Sequence, residues 1–141
     1  MPITVHLPEG IFSDESQDRI FAGLTKSILA INGATGNSFA HKHLIGDIQI
    51  IPKGKSYADG KPTPYANVTL RVPVFSLDTP EKRRQFTTQI CDIIEKESGG
   101  KISRERIYVN CIFGDAFWGV EGVAYTNEEL WSHAMSFAPK S

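Results

Sequence analysis

Cysteine is scarce in this 141-residue chain. Cys91 and Cys111 are the only two; they form no CxxC pair and cannot build a disulfide scaffold. Long hydrophobic runs are missing too, and every apolar stretch falls far short of the ~20 residues that span a bilayer. Neither sign of charge dominates, since 15 Lys+Arg face 16 Asp+Glu for a formal net charge of -1. A chain so balanced has no general field for gripping phosphate backbones, so no nucleic-acid partner is expected. The opening MPITVHLPEG lacks the basic start and apolar centre of a secretory signal, so a cytoplasmic protein without a membrane partner is the expectation. What is present is a globular balance, 40% hydrophobic and 22% charged, at a size that favours one domain over residues 1–141.

Two segments carry a helical period. In SDESQDRIFAGLTKSILAING, apolar residues recur at Ile20, Leu24, Ile28 and Ile31, and Phe21 and Leu29 widen the stripe. Ser13 or Asp14 can cap its first turn, Asp14 and Glu15 suit its positive end, and Asn32-Gly33 stops it. The second, TPEKRRQFTTQICDIIEKESGG, has Thr79 as cap, Pro80 at the first helical position and the stripe Phe86, Ile90, Ile93, Ile94. Strands show the period of two: Ile3, Val5, Leu7; then Ile48 to Ile51; then Val68, Leu70, Val72; then Ile107, Val109, Cys111.

The order is β-α-β, a polar loop over residues 53–65, then β-α-β again. Superposing Ser13 on Thr79 aligns the two helical stripes, which reads as an internal duplication with halves of about 2–52 and 65–118. Neither half can bury its apolar face alone, so the expected fold class is α+β: one four-stranded sheet with both helices on one face. The chain is expected to have no third helix for the other face. A partner subunit is the economical cover, which makes an oligomer the expectation.

Chemistry is suggested first by Pro2. A methionine followed by so small a residue is normally removed, which would leave a secondary amine heading the first strand. Chain-terminal amines titrate near ~7.7–8.0, and burial or a nearby cation would keep this one neutral at pH 7. With Met1 still attached, the same nitrogen is a tertiary amide without basicity. Alternation adds further candidates: Thr69 and Arg71 turn away from the helices, and so do Tyr108 and Asn110. A guanidinium, a phenol and an amide thus share the helix-free face.

The start MPITV, the doubled β-α-β pattern and the segment ISRERIYVNCI together resemble the tautomerase superfamily. That group includes 4-oxalocrotonate tautomerase, macrophage migration inhibitory factor, malonate semialdehyde decarboxylase and cis-3-chloroacrylic acid dehalogenase. Residues 102–110 are similar to the inhibitory factor's Ile-Ser-Pro-Asp-Arg-Val-Tyr-Ile-Asn, which sets Tyr108 and Asn110 on its pocket tyrosine and asparagine. The tract GDAFWGVEG resembles the decarboxylase's tryptophan loop, and GATGNSFAHKH and YADG look like segments of tautomerase-like proteins. The resemblance implies a homotrimer that needs no cofactor and acts on a small carboxylate or carbonyl substrate. Pro2 would be the general base, Arg71 the leading partner for an enolate or carboxylate, and Tyr108 and Asn110 would stand behind it. Trp118 or Phe117 would form an apolar wall, and the inhibitory factor's active-site lysine would fall near His41 or Lys42.

Departures narrow the chemistry. Ser76-Leu77-Asp78 stand where the decarboxylase has its arginine pair. Tautomerisation of an enol or 2-oxo acid is therefore the expected activity. Hydratase-type dehalogenation, decarboxylation or a non-catalytic cytokine-like binding role are the alternatives. His41 and His43, if on a strand, could share a metal, but no third ligand follows at a suitable spacing and no metal is expected. His6 and His133 are expected in polar contacts, the two thiols on apolar faces, and Lys82-Arg83-Arg84 on the solvated side of the second helix.

Overall fold

Alternation of apolar and polar side chains shapes the first strand, β1 (Pro2–Pro8), in which Ile3, Val5 and Leu7 are buried and Pro2, Thr4 and His6 half-buried on the other face. The computed structural model describes residues 1–139. Helix α1 (Asp14–Ile31) starts where the Ser13 side chain accepts a hydrogen bond from the Ser16 amide. A short helix, α2 (Ser38–His43), is capped by Asn37, whose Oδ1 accepts from the Ala40 amide at 3.0 Å. Strand β2 (Ile45–Ile51) begins three residues before the periodicity indicated. The polar loop folds a small hairpin, β3 (Tyr57–Ala58) with β4 (Lys61–Pro62), and β5 (Ala66–Pro73) leads to α3 (Pro80–Glu97), capped by Thr79. A 3-10 turn at Arg104–Arg106 enters β6 (Ile107–Gly114). The chain continues into the hairpin β7 (Trp118–Val120) and β8 (Val123–Tyr125), then α4 (Asn127–Met135).

The main sheet has the order β2-β1-β5-β6, with β1–β2 and β5–β6 parallel and β1–β5 antiparallel. It is α+β, and the two 18-residue helices pack together over one face. Ile20, Leu24 and Ile28 from α1 and Phe86, Ile90 and Ile94 from α3 are all fully buried in one core with Ile3, Val5, Val68 and Leu70. Each such side chain stabilises the fold by about 1.5–3 kcal/mol through removal from water. Gly46 in β2 is required by this packing, since a Cβ there would lie 2.0 Å from the Ile3 carbonyl oxygen and 2.6 Å from the Phe21 ring.

Several sequence expectations are corrected. His41 and His43 lie on a helix, not a strand, because the Asn37 cap turns the preceding Gly-rich stretch into a helix start. Two helices beyond the expected pair exist. Both are short, with α4 nucleated by a reciprocal capping box between Thr126 and Glu129, so no long apolar stripe announced them. They seal the sheet end where β1 begins and leave the helix-free face open: Arg71, Tyr108, Asn110, Ile112, Ile45 and Asp47 are exposed. His133 sits among rings rather than polar groups, stacked on Tyr125 at 5.2 Å and edge-on to Phe39 at 5.0 Å. Arg83 is not simply solvated: its Nε donates to the Leu77 carbonyl at 2.9 Å and its guanidinium lies 4.8 Å from the Phe113 ring centre.

Candidate functional site

Three chain ends meet where β1 starts: the N-terminus, the exit of β5 and the exit of β6. Pro2 lies at the head of β1, and Arg71 near the end of β5 faces the same side of the sheet, paired in register with Ile112 of β6. Pro2 and Arg71 line one cavity of about 280 Å3 together with Ile112, Asp115, Phe117 and Trp118. Trp118 forms its apolar wall, whereas Phe117 is 67% exposed at the rim. Asp115 brings a carboxylate to the same space, a residue the sequence patterns did not single out.

Asn127, the first residue of α4, fixes this wall. Its Oδ1 accepts from Trp118 Nε1 at 3.0 Å and from the Val74 amide at 3.2 Å, while its Nδ2 donates to the Gly114 carbonyl at 3.0 Å. One side chain thus ties the ends of β5 and β6 to β7. Gly114 makes room for the indole, because a Cβ there would come within 2.7 Å of the Trp118 ring. An asparagine in an unremarkable NEEL stretch gives no sequence signal for such a role.

A second space is also lined by Trp118 and has Met1 in its wall. The terminal ammonium donates to the His43 carbonyl at 2.9 Å, and the Ile45 amide donates to the Met1 carbonyl at 3.3 Å. Phe39, Ala40 and His43 of α2, Pro73 and Phe75 at and after the end of β5, and Leu130 and Ala134 of α4 line this space of about 80 Å3 with Met1, Trp118 and Val120. Burial among these groups holds the terminal amine below its ordinary pKa, because the charged form loses its hydration. His43 Nε2 meets Glu121 Oε1 at 2.7 Å, with Lys42 Nζ 3.5 Å from the same oxygen. The His43 hydrogen bond first, and then the Lys42 charge, hold the Glu121 carboxyl below its usual range.

The other sequence candidates stand elsewhere in the chain. Tyr108 is paired with Asn67, four strand positions from Arg71, or about 13 Å at ~3.3 Å per residue. Its hydroxyl accepts from Arg106 at 3.3 Å and its ring meets Tyr65 edge-on. Asn110 donates to Asn67 Oδ1 at 2.9 Å. His41 bonds the Thr35 carbonyl, and neither it nor Lys42 lines the cavity holding Pro2. A roomier cavity of about 370 Å3 lies beside Pro8, Glu9 and Pro52, roughly 20 Å down β1 from Pro2. Among the described residues, no cluster of three His, Cys, Asp or Glu side chains could hold a metal ion, and no helix is long and apolar enough to cross a membrane.

A β-α-β-β-α-β sheet with paired helices on one face is a small α+β fold that recurs among solved structures. The fold is that of the tautomerase superfamily, as comparison with solved structures shows. A protein crystallised after inactivation by 2-oxo-3-pentynoate superposes with a TM-score of 0.75 at 16% identity, over 92% of this chain and 98% of its own. A fused 4-OT wild-type symmetric trimer gives 0.74 at 12%, over 92% and 98%. N1, a member of the cis-3-chloroacrylic acid dehalogenase family, gives 0.74 at 14%, over 99% and 93%. No family model and no curated protein matches the sequence.

Proposed function

We propose that this chain, once Met1 is removed, is a cofactor-independent tautomerase that moves a proton within a small enol or 2-oxo acid, with Pro2 as general base. The observation that carries the reading is the shared cavity of Pro2, Arg71 and Trp118. A neutral secondary amine takes the proton from carbon beside a carbonyl, and the Arg71 guanidinium faces the enolate or carboxylate charge that results.

The open sheet face supports assembly of three copies, the state of the fused 4-OT neighbour. Exposed Ile45, Tyr108 and Ile112 would be covered there. Tyr108 and Asn110, neither of which lines the Pro2 cavity of their own chain, would reach a site across a subunit boundary. A second reading, hydratase-type dehalogenation, is favoured by Asp115, a carboxylate able to activate water in the same cavity.

Intact-mass analysis followed by reaction with 2-oxo-3-pentynoate tests the primary reading. The amine nitrogen adds to the alkyne, a carbon–nitrogen bond forms, and the nitrogen's proton moves to the neighbouring carbon, so nothing is expelled. The expected outcome is a chain lacking Met1 with one adduct on the Pro2 peptide, and Pro2→Ala lowering kcat/KM by about 10²–10⁴. A blocked terminus, or labelling scattered over lysines with turnover absent, would leave a binding protein instead.

A further inference from the structure

The far end of β1, roughly 20 Å from Pro2, carries a cavity of about 370 Å3. That volume falls within the ~300–1,000 Å3 usual for small-molecule sites. Its walls combine four proline rings, from Pro8, Pro52, Pro62 and Pro64, with two residues of opposite charge, Glu9 and Lys53. We infer that this cavity binds an α-amino acid with a planar apolar side chain, held as the zwitterion. Nothing in the site depends on the role of Pro2.

Backbone bonds fix the walls. Residues 52–55 form a turn in which the Lys55 amide donates to the Pro52 carbonyl at 3.0 Å. Gly54, at a φ of +78°, takes the left-handed third position of that turn. The Lys53 amide donates to Glu9 Oε1 at 3.2 Å, and the Glu9 amide to the Ile51 carbonyl at 2.9 Å, which stitches the turn to the end of β1. At the base of the β3–β4 hairpin, the buried Ser56 hydroxyl donates to the Thr63 carbonyl, and the Thr63 amide donates back to the Ser56 carbonyl, both at 2.7 Å. This reciprocal pair sets Pro62 and Pro64 in place on either side of Thr63.

Charge selects the two ends of the ligand. Among the described residues, neither Glu9 nor Lys53 takes part in an ion pair. Glu9 Oε1 meets the Lys53 amide, and an ionised carboxylate has room for further donors. Lys53 has a flexible stem and can follow an anion across the cavity mouth. A lone carboxylate would be drawn by Lys53 but opposed by Glu9, and a lone amine the reverse. An α-amino acid carries both charges on one carbon and answers both residues. The rest of the wall decides the side chain. Proline has no amide hydrogen, so these four rings cannot donate to a polar group. Their rigid C–H surfaces pack flat on an aromatic ring, whose face is electron-rich. Ile11 extends the same apolar lining.

Isothermal titration calorimetry of the full chain at low ionic strength, where exposed charges are least screened, tests this site. The probes are L-phenylalanine, 3-phenylpropanoate, which lacks the ammonium, and 2-phenylethylamine, which lacks the carboxylate. Phenylalanine should bind saturably and each analogue about three- to fivefold more weakly, the ratio expected for one exposed ion pair. Glu9→Gln should weaken phenylalanine by the same factor yet leave 3-phenylpropanoate unchanged or improved. Lys53→Met should weaken phenylalanine and spare 2-phenylethylamine. Melting curves establish that both variants fold, and Glu9→Ala and Lys53→Ala repeat the measurement where one does not. Saturating phenylalanine should leave pentynoate labelling of Pro2 unchanged, because the two sites lie at opposite ends of β1. No saturable heat with phenylalanine, equal affinity for the three probes, variants that bind like wild type, or protection of Pro2 from labelling overturns the inference. Binding of phenylalanine to a protein whose Pro2 does not label sinks the tautomerase reading alone.

Discussion

Replacing Asn127 by alanine removes three hydrogen bonds at once: those from Trp118 Nε1 and the Val74 amide, and the one to the Gly114 carbonyl. Each is worth about 0.5–1.5 kcal/mol net; the bonds to Trp118 and Gly114 lie in partly buried surroundings where water replaces them imperfectly, and the one to Val74 is exposed. The expected loss is therefore about 2–4 kcal/mol. For a chain of this length that is a fall in Tm of roughly 6–15 °C. Asn127→Asp keeps the two acceptor bonds and sets an oxygen against the Gly114 carbonyl, so it should cost less, about 1–2 kcal/mol. Urea unfolding monitored by circular dichroism gives the free energies. Combining Asn127→Ala with Trp118→Phe isolates the indole bond, for which a coupling of at least ~0.5 kcal/mol is expected. Pentynoate labelling of Pro2 should slow in Asn127→Ala, since the Trp118 wall is no longer held. An Asn127→Ala protein within ~0.5 kcal/mol of wild type, or a cycle showing no coupling, would refute the assignment of Asn127 as the tie between these strand ends.

Gly46→Ala should destabilise the fold by ~3 kcal/mol or more, because the added carbon meets backbone oxygen at 2.0 Å and backbone cannot swing aside. Gly119→Ala, which meets nothing within 4 Å, should stay within ~0.5 kcal/mol, and similar melting curves for the two would contradict this. The Glu121 carboxyl is depressed by His43 and Lys42, so its stabilising contribution is present above the unfolded value of ~4.3 and fades as pH falls through the lower folded one. The stability gap between wild type and Glu121→Gln should thus be visible at pH 6 and vanish toward pH 3; a gap that persists in acid contradicts the pairing. Burial pushes both the Cys91 and Cys111 thiols up, so an aromatic disulfide reagent should react far more slowly at pH 7.5 with folded than with urea-unfolded protein. Equal rates would show a thiol more accessible than its surroundings imply.

The long helices and the strands were legible because their periods are written in neighbouring residues. Ser13 and Thr79 cap as the sequence indicates, and Ile20 to Ile28 and Phe86 to Ile94 form the buried stripes. The short elements were not legible. Helix α2 spans six residues and α4 nine, too few turns to display a stripe, so the helix that carries His41 and His43 was not anticipated. Pro2, Arg71 and Trp118 were recognisable as candidates by residue type and by likeness to a family. Asp115 and Asn127 carried no such mark.

Local order along the chain determines which side chains point toward the helices and which away, since alternation and capping depend only on near neighbours. It therefore settled the β-α-β-β-α-β order and the face that bears Arg71, Tyr108 and Asn110. Distances between residues far apart in the chain are set by strand pairing and loop closure, which no local pattern encodes. Only the tertiary structure decided that Arg71 shares a cavity with Pro2 while Tyr108 lies four strand positions away, and that α2 and α4 line a second space together with Met1.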